Sequence, residues 1–360
     1  MGPSRFGFHP VLLALIGVAS GALALGASTL GWRGEDASTR GAPDAAHRLA
    51  QPASFAPAVA APAARRPRWF PALFAPDADP GGRSLDLTDP LPRDPTAAER
   101  AALIPAIANN HILAFYGKPD SRRMGILGEY SKEDLAAILD GYARLYDGQN
   151  GERGVVSAFY LIYGTCWPEG EIGYLKDSVV QEYVEFARSR GMLVFVDHQI
   201  GKYPVADAMA RLLPWLKYPN VHLALDPEWR TDAPMKVIGG VNADEVNAAE
   251  AAMSAYMAAE GITGARMLVV HQFQDRMIAE RDRVRADYDG VLLVHTADGF
   301  GAPALKRWSY SANAKAGNIP LKGFKLFFKT DQEGAGYDDP LLLPAEVLAL
   351  EPSPGLVIYQ

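Results

Sequence analysis

The chain has 360 residues, of which 49% are hydrophobic and 21% charged, values that fit a globular protein with a core and exclude a wholly disordered chain. Its net charge of −7, from 35 Lys+Arg against 42 Asp+Glu, lacks the basic excess of a nucleic-acid-binding surface, so no nucleic-acid partner is expected. Cys166 is the single cysteine, which excludes an intramolecular disulfide and any cysteine-cluster zinc site but leaves a His/carboxylate metal site open.

The N-terminal third differs from the rest. Residues Val11 to Trp32 carry no charge and are flanked by Arg5 and Arg33, a basic start followed by an apolar run of about membrane-spanning length. Residues 1–33 therefore read as an export signal. Ala22-Leu23-Ala24 or Ala24-Leu25-Gly26 meets a small-x-small cleavage rule, which gives a released protein; left uncleaved, the run is a signal anchor in the membrane. Either way the protein is expected to be exported, to the cell envelope or beyond. No cysteine follows the run, so a lipid anchor is not expected. Residues 34–95 are dominated by Ala, Pro, Arg and Asp and show neither helical nor strand period. Dense proline removes backbone donors and favours extended chain, so this stretch reads as a disordered tether.

From Asn109 onward short β-rich runs alternate with helical patterns. The strand candidates cover 111–117, 155–164, 192–199, 221–228, 266–273, 290–298, 323–331 and 355–360. Between them, one helix opens with a Ser131 cap, another closes on Gly191, and a third starts at Asn242 and stops at Gly261. Near-continuous apolar strands alternating with helices mean a parallel sheet covered on both faces. Eight such units in residues 96–360 have the size of a (β/α)8 TIM barrel, typically about 250 residues. A doubly wound nucleotide binder is disfavoured, because the first strand runs into YGKPDSRRMG rather than a glycine-rich phosphate turn.

Active sites in such barrels form at the C-terminal ends of the strands. Those ends here carry Tyr163; Asp197, His198 and Gln199; Asp226, Glu228 and Trp229; His271 and Gln272; His295 and Asp298; Lys329; and Tyr359. Three of the seven histidines fall in this ring, which favours a functional mouth over scatter. The sharpest signal is Asp226-Pro227-Glu228. Residues two apart on a strand point the same way, so two carboxyls share one face and one of them resists ionising. A carboxylic acid that keeps its proton near neutral pH is what a glycosidase uses to protonate a leaving oxygen.

The strand-four Asp-x-Glu resembles that of family-18 chitinases and family-25 lysozymes, both exported barrel hydrolases; the barrel is also similar to a group of exported bacterial proteins without an assigned activity. The resemblance implies Glu228 as general acid and Asp226 as the group that polarises the reacting substituent. The run of aspartates that precedes the chitinase pair is replaced here by His222-Leu223-Ala224-Leu225, and the first strand lacks the lysozyme aspartate.

Around the pair, Asp197 is expected as the second carboxylate. His198, Gln199, His271, Gln272, His295, Asp298, Lys329, Tyr163, Trp229 and Tyr359 are expected to line the substrate, with aromatic faces stacking on sugar rings. Lys325 and Lys329 are expected to share a face of the seventh strand, Lys325 in the more structural role. The reading is a glycoside hydrolase acting on an extracellular or envelope polysaccharide, with no cofactor. Two alternatives stand beside it: a metal-dependent hydrolase using His198, His271, His295, Asp197 and Asp226 as ligands, and a barrel that binds a glycan without cleaving it.

Overall fold

A computed structural model describes residues 105–331 and 334–360. The expected export segment and the tether lie outside the described residues. No helix among the described residues is long and apolar enough to cross a membrane.

A single helical turn, α1 (Ala106–Asn109), leads into β1 (Asn110–Lys118), which folds back on an antiparallel β2 (Ser121–Gly125). Helix α2 (Lys132–Asp147) follows, then β3 (Gly154–Cys166), a short antiparallel β4 (Ile172–Tyr174) and α3 (Asp177–Ser189). Next come β5 (Leu193–Gln199), α4 (Val205–Leu212) and β6 (Val221–Asp226). After a two-residue β7 (Val241–Asn242) the chain forms α5 (Ala243–Ala259), β8 (Arg266–Gln272), β9 (Ile278–Ala279) and β10 (Val291–Ala297). It ends with α6 (Pro303–Ala314), β11 (Leu321–Leu326), α7 (Pro344–Leu348) and β12 (Leu356–Tyr359).

Eight of these strands pair in parallel in the order β1, β3, β5, β6, β8, β10, β11, β12, and β12 pairs back with β1. The ring is closed, so the fold is the expected (β/α)8 TIM barrel. Every residue of β5, β6 and β8 is buried, which accounts for their unbroken apolar character: one face meets the barrel axis and the other the helices. Alternation along the strands separates two packed layers. Ile112, Ala114, Tyr160, Phe195, Val269, Val294 and Ile358 fill the barrel, while Leu113, Phe159, Val196, Leu223, Leu268, Phe324 and Val357 pack outward. Inside, Tyr160 stacks on Phe195 with ring centroids 4.9 Å apart, so the interior is a packed core, not a pore.

The helix signals act as read. The Ser131 hydroxyl accepts from Asp134 N–H, and Asn242 forms a reciprocal capping box with Glu245. Gly191 and Gly261 end their helices at φ +69 and +63.

Three strand boundaries need correction. The fourth barrel strand stops at Asp226 rather than 228, because Pro227 has no N–H for the ladder; Pro227–Trp229 make a 3-10 turn instead. The seventh spans 321–326, not 323–331, so Lys329 lies beyond it and shares no strand face with Lys325. The second continues past 164 to Cys166, with a register shift between Ile162 and Gly164 against β5. Gly164 is required there: a Cβ would stand 2.7 Å from the His198 ring.

Candidate active site

Inward-facing residues at the C-terminal strand ends form one connected charge network. Tyr116 of β1 donates its hydroxyl to Asp197 Oδ2 at 2.9 Å. The Tyr160 hydroxyl of β3 lies 2.7 Å from His271 Nε2, and His271 Nδ1 lies 2.8 Å from Asp298 Oδ2. Lys325 of β11 reaches the same Asp298 oxygen at 3.5 Å and sits over the Tyr116 ring, 3.7 Å from its centroid. Ring faces carry negative charge density, so the ammonium is held both by a carboxylate and by an aromatic face.

The fields at these groups arise from burial and neighbours. Burial opposes ionisation of Asp298, but His271 and Lys325 outweigh it and hold this carboxyl well below the usual carboxylate range. Burial likewise opposes charge on His271, yet Asp298, Asp197 and Asp226 together push its pKa up to about 9, so the ring is an imidazolium at neutral pH. Asp197, with none of its surface exposed, is raised by burial, against the pull of His271, Lys325 and Tyr116. Burial and the adjacent Glu228 raise Asp226 well above the usual range. Glu228, half-buried in the turn beyond β6, is pushed up to about 7 by burial, with Lys325 working against this and Asp298 with it. The Asp-x-Glu carboxyls thus do influence one another, but the 3-10 turn, not the pleat of a strand, brings them together.

Behind this network lies a buried lysine that sequence reasoning passed over. Lys306, in the first turn of α6, donates to the carbonyls of Gly299 and Lys325 and pairs with Asp338 at 3.3 Å. Asp338 also accepts from the N–H groups of Gly301 and Phe327. The loops after β10 and β11 are tied together there, and they bring Phe300 and Phe327 edge to face, 5.9 Å apart. Tyr116 and Tyr160 were also missed. Each sits an even number of residues from other inward positions of its strand, the only trace they leave in the sequence. Lys306 leaves none.

Not every expected mouth residue is on the inner face. Gln199 is, and its Oε1 accepts from the Cys166 N–H at 2.9 Å. Trp229 sits half-buried beside Glu228 in the turn. His198 is outward, packed against Tyr174 and Gly164. Gln272 and His295 also face outward and bond to one another at 2.7 Å, with Arg281 donating to the same glutamine oxygen. Tyr163 turns to Asp177 of α3 and to Trp215. Tyr359 meets the Tyr146 hydroxyl of α2 at 2.8 Å inside an aromatic cluster with Phe115, Tyr142 and Phe328. Lys329 is exposed, over the Tyr337 ring, and it is Lys325 that answers the carboxylates. Strand parity is the reason in each strand case: a position one residue off the inward set points under the helices.

The same parity corrects the metal alternative. His198 and His295 are on the opposite face from Asp197, Asp226 and His271, and no group of three or more His, Cys, Asp and Glu side chains among the described residues is placed to hold a metal ion.

No protein-family model matches the chain, and no curated protein matches it. Solved structures similar to it include a chitinase from Chromobacterium violaceum ATCC 12472, with TM-score 0.35, 13% identity, and coverage of 60% of this chain and 68% of that one. They also include a family 18 chitinase from Crocus vernus, with TM-score 0.41 and 10% identity over 69% of this chain and 92% of that one. A third is a family 18 chitinase from Flavobacterium johnsoniae, with TM-score 0.39 and 9% identity over 70% and 87%. The barrel assignment rests on the closed strand ring itself, and the chemistry of the site on the side chains at its mouth.

Proposed function

We propose that this barrel is a glycoside hydrolase that cleaves an extracellular or cell-envelope polysaccharide, with Glu228 as proton donor. The observation that carries the reading is Glu228 itself, a half-buried carboxyl at the strand-end mouth whose pKa is pushed up to about 7. A glycosidic oxygen leaves as an alcohol only when it receives a proton, and a carboxyl of this pKa both holds one near neutrality and releases it readily. Asp226, also raised, keeps its proton and steers the substrate by donating a hydrogen bond. Asp298, held ionised by His271 and Lys325, supplies negative charge to the mouth as the sugar carbon becomes positive. Asp197 lies behind, fully buried and bonded to Tyr116, and shapes this field. The bond from the anomeric carbon to the leaving oxygen breaks as that oxygen takes the Glu228 proton, the oxygen of a water bonds to the anomeric carbon, and the proton this water sheds passes to solvent, from which the Glu228 carboxylate is reprotonated. Export is supported by the uncharged Val11–Trp32 run between Arg5 and Arg33; if that run is retained, the membrane is a second partner.

The test is turnover of a panel of polysaccharides and peptidoglycan fragments by the full chain and by Glu228→Gln. The variant should lose roughly 10²–10⁴-fold in rate, the usual contribution of a positioned acid, with an unchanged circular-dichroism spectrum. Wild-type turnover should fall as pH rises above about 7, where Glu228 loses its proton. Turnover that survives in Glu228→Gln removes the reading.

A further inference from the structure

We propose that residues 280–289 form a proton-gated strap on the flank of the barrel: it closes over Glu250 of α5 while that carboxyl is neutral, and it loosens where Glu250 can ionise. Every other connection between successive barrel strands holds an α-helix, but between β8 and β10 the chain makes two 3-10 turns, the short β9 and an irregular run. That run is seated on α5. Asn247 of α5 donates to the Arg283 carbonyl at 3.2 Å and accepts from the Arg285 N–H at 2.8 Å, and Val284 between them is buried. Glu250 stands three residues after Asn247, on the same side of the helix. None of its surface is exposed, and neither of its carboxyl oxygens has a hydrogen-bond partner. An unpaired carboxylate is too costly to bury, so the closed strap requires the acid form.

The charges that reach Glu250 both belong to the strap. Burial pushes its carboxyl up to about 8, with Asp287 adding to the rise and Arg285 opposing it. Arg285 is already spent on Asp287, to which it donates twice. Elsewhere around α5 the charges are spent or turned to water. Arg281 is bonded to Gln272, Arg283 to Asp244 and Glu280, and Glu245 to Arg230. Asp207 and Arg211 of α4 and Lys217 beyond it are exposed, and β10 offers Val291, Leu293 and the neutral His295.

With the strap open, Glu250 meets water and titrates near the usual value of about 4.3. Opening then releases one proton to solvent, and closing draws one back onto Glu250. The balance shifts toward the open strap by up to about tenfold per pH unit between the two values and stops shifting above about 8, where both forms are ionised. Release also costs β8 a tie at its end, because Arg281 of the strap holds Gln272, the residue after His271.

The experiment is amide hydrogen exchange of the full chain, read by mass spectrometry from pH 5 to pH 9 and corrected for the intrinsic rate. Protection of peptides from 281–289 should fall by about tenfold per pH unit up to about pH 8 and level off beyond it, while peptides from β6 and β8 keep theirs. In Glu250→Gln, which keeps the shape and cannot ionise, strap protection should change by less than about twofold over the same range. Should that variant fail to fold, carbon-13 NMR of the Glu250 carboxyl in the wild-type protein decides: neutral at pH 6 and half ionised near 8 supports the strap, and ionised at pH 6 overturns it. Wild-type strap protection that ignores pH, a fall that persists in folded Glu250→Gln, or a fall shared equally by β6 and β8 also overturns it.

Discussion

His271 and His295 are neighbours on paired strands, both buried to within 1% of full, and their chemistry is opposite. In the β8–β10 ladder His271 pairs with Thr296 and His295 with Val270, so the rings are one residue out of step and face different layers. His271 looks into the barrel and meets Asp298 and the Tyr160 hydroxyl; the carboxylate overcomes burial and the ring stays charged, with a pKa of about 9. His295 looks under the helices and meets the neutral Gln272, with Lys322 and Arg281 nearby; burial, helped by those cations, lowers it to about 3. Equal burial therefore says nothing about charge. The sign of the first neighbour decides it, and strand parity selects the neighbour.

The strongest way to break this contrast is His271→Ala. Removing one partner of a buried ion pair typically costs about 3–5 kcal/mol, because Asp298 is left with less compensation. His295→Ala removes one neutral contact while Gln272 keeps its bond from Arg281, so its cost should be nearer 1 kcal/mol. Urea unfolding of the two variants measures both, and equal losses would erase the distinction.

A subtler probe is the titration of the two rings, followed by NMR. His271 should remain an imidazolium to about pH 9 and His295 neutral down to about pH 3. The signs for stability are opposite. His271, raised from its ordinary 6.5, contributes stability that is complete below about 6.5 and is lost as pH rises through 9. His295, lowered, contributes stability that is complete above about 6.5 and is lost as pH falls toward 3. Rings that titrate together would contradict the assignment of faces.

The smallest effect sharpens the outer layer. Tyr359→Phe removes the hydroxyl pair with Tyr146, costs about 1 kcal/mol, and should leave turnover unchanged, because Tyr359 lies among α2 aromatics rather than in the mouth. A large drop in turnover with little change in stability would return Tyr359 to the site.

The barrel was legible because its strands are apolar on both faces and its helices carry recognisable starts and stops, from the Ser131 and Asn242 caps to Gly191 and Gly261. Strand ends were less legible. Pro227 turns the chain out of the sheet one residue before Glu228, and the register shift near Gly164 alters the count along β3. The β2 and β4 hairpins escaped notice because SRRMG and IGY are too short and too polar to read as strands. Of the site, the carboxyls and His271 stood out as charged residues at strand ends. Tyr116 and Tyr160 looked like ordinary apolar filling, and only the folded ring brings their hydroxyls to Asp197 and His271. The exchange of Lys329 for Lys325 comes from a strand that stops at 326, which no local residue pattern announces.

The ammonium of Lys306 has a mechanical consequence. Because it grips the carbonyl of Gly299, the carbonyl of Lys325 and the carboxylate that anchors Gly301 and Phe327, two rim segments hang from a single post. Neither segment is free to swing alone. Whatever displaces Phe300 or Phe327 on entry also tugs the backbone that carries Lys325, so the doorway and the charged floor beneath it move as one body.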